Sequence, residues 1–203
     1  MRNLIFEILV GYVMGSLPTA YWVGKFVKGV DIRKHGSGNV GATNVFRVVG
    51  KKWGVAVLIF DALKGALAVS FVPSLFPTVW VTPFVSHLIS GIAAISGHTW
   101  TFWLGFKGGK GVATSAGVFL ALAPKAAFAA LGVWTLIFLW KRYVSLASMG
   151  TAVSFPLWVF CFYWNTERFP VLFPVSLLLT VFIFFTHREN IHRLRSGTEK
   201  RLF

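Results

Sequence analysis

Residues 112–140 read VATSAGVFLALAPKAAFAALGVWTLIFLW, and the number of times this stretch crosses a membrane decides the topology of the chain. Pro124-Lys125 interrupts it, so it is either one long span or a hairpin of two shorter helices. Around it, apolar runs near the ~20 residues that a membrane-spanning helix needs occupy 3–24, 53–75, 80–101, 143–164 and 170–186. One long helix at 112–140 gives six crossings, and a hairpin gives seven. Charge chooses between them. With seven crossings and an external N-terminus, the inner loops collect Lys25, Lys28, Arg33, Lys34, Arg47, Lys51, Lys52, Lys107, Lys110, Lys141, Arg142 and the basic tail. Only Arg2, Lys125 and Arg168 then lie outside. Six crossings set Lys141-Arg142 and the tail on opposite faces. The expectation is an all-α polytopic membrane protein: a seven-transmembrane-helix bundle, N-terminus outside and C-terminus cytoplasmic, forming one domain over 1–203. Its strained element is Val112 to Ala123, which as a helix reaches only about 18 Å of a roughly 30 Å core. That element borrows length from its flanks or is re-entrant.

Composition supports the membrane reading. The chain is 56% hydrophobic with a formal net charge of +14 and a mean hydropathy of +0.70. A soluble core does not accommodate such long apolar runs, whereas a membrane protein gathers its charge into loops. The cations interrupt hydrophobic spans and form no soluble basic face, which argues against nucleic acid and leaves anionic lipid headgroups as partners. The first span is expected to be retained, because Arg2 is the only cation before it and Glu7 sits early in the apolar run. Cys161, the single cysteine, is expected to pack beside Phe160 and Phe162.

Three polar stretches lie beside hydrophobic spans and are expected to face the same compartment. The first is Gly36-Ser37-Gly38-Asn39-Val40-Gly41-Ala42-Thr43-Asn44, with Arg47 following. Its glycines permit positive φ and exposed N–H groups, and Ser37, Asn39, Thr43 and Asn44 add donors, so it reads as an oxyanion cradle. The second is Gly108-Gly109-Lys110-Gly111. It fails as a P-loop because position 104 is Leu and glycine follows the lysine. What remains is a lysine on flexible backbone before a helix N-terminus, a place that favours anions. The third is His187-Arg188-Glu189-Asn190-Ile191-His192-Arg193. If the last span continues through it, Asn190 and Arg193 follow His187 on roughly one side, and the imidazole serves as base or phosphate donor. Ser145 and Ser148 follow the basic turn Lys141-Arg142 and either join a site or bond to helix carbonyls. Asp61 and Lys64, one turn apart inside the second span, read as a mutually neutralising, site-supporting pair. His87 and His98 are expected to bond within the bundle.

The missing motifs narrow the chemistry. The chain has six carboxylates, with no evident dyad and no His-Glu-x-x-His zinc motif. No histidine precedes an aspartate at the spacing used by the common glycerolipid acyltransferases, and no aspartate-rich metal pattern occurs. Donors and cations outnumber bases, which suits the positioning of anionic reactants without metal, nucleotide or other cofactor. An anion carrier and a lipid-binding scaffold are the competing classes.

Together, Gly15-Ser16-Leu17-Pro18, the Gly36–Asn44 stretch, Gly105-Phe106-Lys107-Gly108-Gly109-Lys110-Gly111-Val112-Ala113-Thr114 and His187-Arg188-Glu189-Asn190-Ile191 resemble the bacterial membrane acyl-phosphate:glycerol-3-phosphate acyltransferases, the PlsY family. The motifs stand in the family's order along nearly the whole chain. The resemblance implies a seven-helix membrane fold and transfer of an acyl group from acyl phosphate to the 1-hydroxyl of glycerol 3-phosphate. The products would be 1-acyl-glycerol 3-phosphate and phosphate, as the first acylation of bacterial phospholipid synthesis. It implies a monomer in the cytoplasmic (inner) membrane, its active site facing the cytoplasm. The catalytic candidates are Lys110, His187 and Ser37. The substrate-binding candidates are Asn39, Gly41, Thr43, Asn44, Arg47, Gly108, Gly109, Ser148, Asn190 and Arg193.

Overall fold

Proline sets several of the helix boundaries in the computed structural model, which describes Met1–Phe203 and is wholly helical. Pro18 divides the first apolar run into α1 (Arg2–Ser16) and α2 (Thr19–Lys28). Leu17, with ψ of 114°, is pushed out of the helical region by the ring that follows it. The span expected over 3–24 is thereby made of two helices, broken at Leu17-Pro18. Gly29 ends α2 in the left-handed conformation, with φ of 70°. A short 3-10 turn (Ile32–Lys34) and α3 (Ala42–Val48) follow, then α4 (Lys51–Leu75) and α5 (Pro83–Thr99). Thr82 caps α5 by accepting the Val85 N–H, and Pro83 occupies its first turn. A 3-10 turn (Phe102–Leu104) leads to α6 (Val112–Leu122).

Residues 112–140 do form two helices. Ala123 leaves the helical region at φ −143° and ψ 61°, and Pro124 opens α7 (Pro124–Lys141). Then come α8 (Val144–Tyr163), α9 (Phe169–Thr186) and α10 (Arg188–Arg195). Four segments are long and apolar enough to cross a membrane: Arg2–Lys28 taken across its break, Lys51–Leu75, Val144–Tyr163 and Phe169–Thr186. Helix α6 is a shorter apolar element. The outward surfaces of the long helices carry Phe60, Phe71, Leu178 and Val181, as hydrocarbon contact requires. Cys161 is exposed on α8, which corrects the expectation that it packs inside.

The chain forms two compact units, Met1–Leu122 and Ala123–Phe203. In the first, α1 packs on α5, and α4 packs on both α5 and α6. Small residues make these approaches possible, as is common where lipid supplies no hydrophobic drive. A Cβ at Gly117 would collide with the Ala62 carbonyl, and one at Gly15 with Ala94. Beneath the first glycine-rich stretch, Ala20, Ile32, Val40, Val45, Val57 and Leu104 form a buried apolar cluster. In the second unit, α8 lies between α7 and α9, and the Thr180 hydroxyl donates to the Ala152 carbonyl at 2.6 Å.

Candidate active site

Within the first unit, the polar residues following α2 are drawn into a tight loop by one side chain. Asn44 is 1% exposed. Its Oδ1 accepts the Ser37 N–H at 2.9 Å, and its Nδ2 donates to the carbonyls of Ile32, His35 and Asn39 at 3.0–3.1 Å. Gly36 is required at φ 64°, where a Cβ would strike that same Oδ1. Asn44 therefore builds the loop. Asp31 caps the 3-10 turn by accepting the Arg33 N–H at 3.0 Å and pairs with the Arg33 guanidinium at 2.7 Å. The hydrogen bonds from Arg33 hold the Asp31 carboxyl at about 2. Ser37 is left exposed, Asn39 and Gly41 are half-buried, and Thr43 and Arg47 lie half-buried on α3.

The second glycine-rich stretch docks against the first. Val40 O and the His98 ring both stand where a Gly109 Cβ would go, so only glycine lets the two loops meet here. The Gly108 N–H donates to Thr99 O at 2.9 Å and the Gly109 N–H to His98 O at 3.1 Å. These amides cap the C-terminus of α5. Lys110 follows, half-buried, immediately before Gly111 and α6.

A cleft of about 190 Å³ lies against this junction, lined in part by Leu17, Thr19, Asp61, Lys64, His98 and Gly109. Asp61 receives the Thr19 hydroxyl at 2.6 Å and pairs with Lys64 at 2.8 Å. Lys64 also donates to Leu17 O at 3.0 Å, and the His98 Nδ1 stands 3.6 Å from Asp61. The Leu17–Pro18 break thus supplies the carbonyl that Lys64 binds. The sequence identified the Asp61–Lys64 pair and an intrabundle role for His98. It did not show that the three residues join, or that His98 bears on Gly109. His87 likewise bonds within the bundle, its Nδ1 2.6 Å from Val69 O.

In the second unit, His187 closes α9 and opens α10 with φ −101° and ψ 8°, so the last span does not continue as one helix through it. It is 3% exposed, and its Nδ1 lies 2.8 Å from Ile183 O. A hydrogen on Nδ1 satisfies that contact and makes Nε2 the accepting nitrogen. Asn190 and Arg193 do share one face of α10, and what they meet is Glu199. Asn190 Nδ2 donates to Oε1 at 2.6 Å, the Ser145 hydroxyl donates to Oε1 at 2.7 Å, and Arg193 Nε donates to Oε2 at 2.8 Å. Burial raises the Glu199 carboxyl, but the hydrogen bonds from Arg193, Ser145 and Asn190 outweigh it and leave the group below its ordinary range. The Ser148 hydroxyl donates to Val144 O at 2.8 Å. Glu199 escaped the sequence reading because its partners lie 6, 9 and 54 positions away.

Comparison with known proteins places this geometry in a family. The family model described as glycerol-3-phosphate acyltransferase matches residues 5–197. The glycerol-3-phosphate acyltransferase of Fusobacterium nucleatum is 43% identical over 194 residues, covering 96% of this chain and 95% of its own. That of Geobacter sulfurreducens is 44% identical over 202 residues, covering 99% and 98%. The fold is similar to the crystal structure of PlsY (YgiH), an integral membrane glycerol 3-phosphate acyltransferase, in its glycerol 3-phosphate form. The TM-score is 0.86 at 40% identity, covering 98% of this chain and 94% of that one. The lysophosphatidic acid form of PlsY aligns with a TM-score of 0.83 at 39% identity. The chain belongs to the glycerol-3-phosphate acyltransferase family.

Proposed function

We propose that this membrane protein transfers a fatty acyl group from acyl phosphate to the 1-hydroxyl of glycerol 3-phosphate. The observation that carries the reading is the near full-length match to an integral membrane enzyme whose crystal forms are described by glycerol 3-phosphate and by lysophosphatidic acid. Substrate and product of one acylation are thus named for a neighbour that this chain parallels over 98% of its length. The donor is what the resemblance of the Gly36–Asn44, Gly105–Thr114 and His187–Ile191 motifs implies. Acyl phosphate is already activated, so the step needs neither ATP nor coenzyme A, and the failed P-loop match at Gly108–Gly111 agrees with a site that handles no nucleotide.

In the reaction, the 1-hydroxyl oxygen attacks the acyl carbonyl carbon, the bond from that carbon to the phosphate oxygen breaks, and phosphate leaves. The proton released by the hydroxyl passes to a substrate phosphate. Negative charge grows on the carbonyl oxygen during attack, and Lys110 is the cation assigned to stabilise it. Ser37, Asn39, Thr43 and Arg47 are assigned to one phosphate-bearing substrate and to its orientation. His187 and Asn190 are assigned to phosphate positioning, with Arg193 and Ser148 beside them. Gly41, Asn44, Gly108 and Gly109 shape the backbone that presents these groups. His187 Nδ1 is directed at Ile183 O, and the imidazole is assigned to positioning, with a substrate phosphate taking the proton.

The reading places the protein in the bacterial inner membrane as one functional domain of seven crossings, N-terminus outside and C-terminus cytoplasmic. All three polar stretches then face the cytoplasm, where the formal charge of +14 concentrates phosphate-bearing reactants. No metal or cofactor enters the scheme, and a monomer suffices.

The test is incubation of the purified protein with palmitoyl phosphate and glycerol 3-phosphate, with palmitoyl-CoA as the alternative donor. Equal amounts of phosphate and 1-palmitoyl-glycerol 3-phosphate are expected from the first donor only. Comparable turnover of palmitoyl-CoA would refute the donor, and no product from either would refute the activity.

A further inference from the structure

Three ionisable side chains, Asp61, Lys64 and His98, are buried together in the first unit at 2%, 6% and 8% exposure. Burying charge in a helical bundle is costly, and such groups are retained where they do something that apolar packing cannot. Neutralisation alone explains Asp61 and Lys64, which pair at 2.8 Å with the Thr19 hydroxyl also on the carboxylate at 2.6 Å. It does not explain His98, whose Nδ1 faces this already satisfied carboxylate at 3.6 Å. The other edge of the ring offers the explanation. His98 Nε2 stands against Gly109 so closely that no Cβ fits between them. The backbone of the same residue accepts the Gly109 N–H at 3.1 Å. Gly109 is therefore held from two sides by one residue, and Lys110 is the next residue along.

We infer that Asp61 and His98 form a positioning pair: the carboxylate sets the imidazole, and the imidazole sets the backbone that carries Lys110. The anchor runs further back through Lys64 to Leu17 O at 3.0 Å, so the break between α1 and α2 is part of the device. His98 acts through the loop and not on the substrate. The assignment depends on the acyltransferase reading only for its activity readout, because the loop itself is measurable without turnover.

Two measurements on His98→Gln test it. Hydrogen exchange reads the peptide covering 105–111 with no substrate present. On the order of tenfold faster exchange is expected there, while peptides from α4 and α5 stay at the wild-type rate, because opening is local to the contact removed. The acylation assay is expected to show kcat reduced by about 10- to 100-fold with KM for both substrates within about threefold, the pattern of a displaced catalytic group. Thr19→Val, a near-isosteric change that removes one donor from Asp61, is expected to give a smaller change in the same peptide and serves if His98→Gln does not fold. Unchanged exchange at 105–111 would overturn the inference even if the wild type acylates glycerol 3-phosphate. So would acceleration spread equally through α4 and α5, which denotes a merely structural histidine. If the loop loosens selectively but the wild type forms no acyl product, the pair stands and the functional reading fails.

Discussion

Asn44 Oδ1 accepts the backbone N–H of Ser37 at 2.9 Å, seven residues back along the chain. With its amide nitrogen on three further carbonyls, this one side chain closes the loop that presents Ser37, Asn39 and Thr43. An aspartate there keeps the acceptor but sets a carboxylate oxygen against those carbonyls. Asn44→Asp is expected to lower turnover by on the order of 10²-fold, as displacement of a catalytic loop does. It is also expected to destabilise the protein by about 1–3 kcal/mol for each buried polar group left unmet. Initial rates and thermal unfolding in detergent check both effects, and wild-type values in both would remove the loop-building role.

Lys110 is assigned to the charge that develops on the acyl carbonyl. Lys110→Met is expected to lower kcat by on the order of 10²-fold or more, with the melting temperature close to wild type. A rise in KM at unchanged kcat would move Lys110 from stabilisation of the transition state to plain substrate binding.

Gly117 packs where a Cβ would meet the Ala62 carbonyl, so α6 sits on α4 without room for a methyl group. Gly117→Ala is expected to destabilise the protein by about 1–3 kcal/mol through overpacking. Activity should fall as well, since Lys110 leads directly into α6. A melting temperature equal to wild type would show that the two helices part without cost.

The tail is held by Glu199, whose carboxyl lies below its ordinary value of 4.5 through Arg193, Ser145 and Asn190. A depressed carboxyl stabilises the docked tail above the unfolded value and loses that contribution as pH falls through the folded one. Tail docking is therefore expected to be constant above about pH 5 and to weaken only below the ordinary carboxylate range. At neutral pH, Glu199→Gln should release the tail and speed tryptic cleavage after Lys200 and Arg201 by several-fold. Cleavage at the wild-type rate would show that the backbone contact from Leu202 N to Arg142 O at 3.0 Å is enough to hold it.

Much of this was legible because proline and charge act locally. Pro124 announced the break of 112–140 into two helices, and the glycine-rich stretches announced loops. The same rule was available at Pro18, yet the apolar residues on both sides concealed the break that sets Leu17 O before Lys64. What stayed hidden depends on partners distant in sequence. Asp61 and His98 are 37 positions apart on different helices, and Ser145 meets Glu199 across 54 positions, so no local spacing connects them. The partners of the Gly108 and Gly109 amides were hidden for a related reason. Glycine reveals that backbone can approach something closely, but not that the partner is the end of α5.

A single site for both phosphate-bearing substrates requires all three polar stretches to reach one face of one membrane. Asn39→Cys, Lys110→Cys and Arg188→Cys, each in a Cys161→Ser background, can be exposed to a membrane-impermeant maleimide in right-side-out and inverted vesicles. All three are expected to react only in inverted vesicles, from the cytoplasmic side. Reaction of any one of them from the opposite side would contradict a single site for both phosphate-bearing substrates.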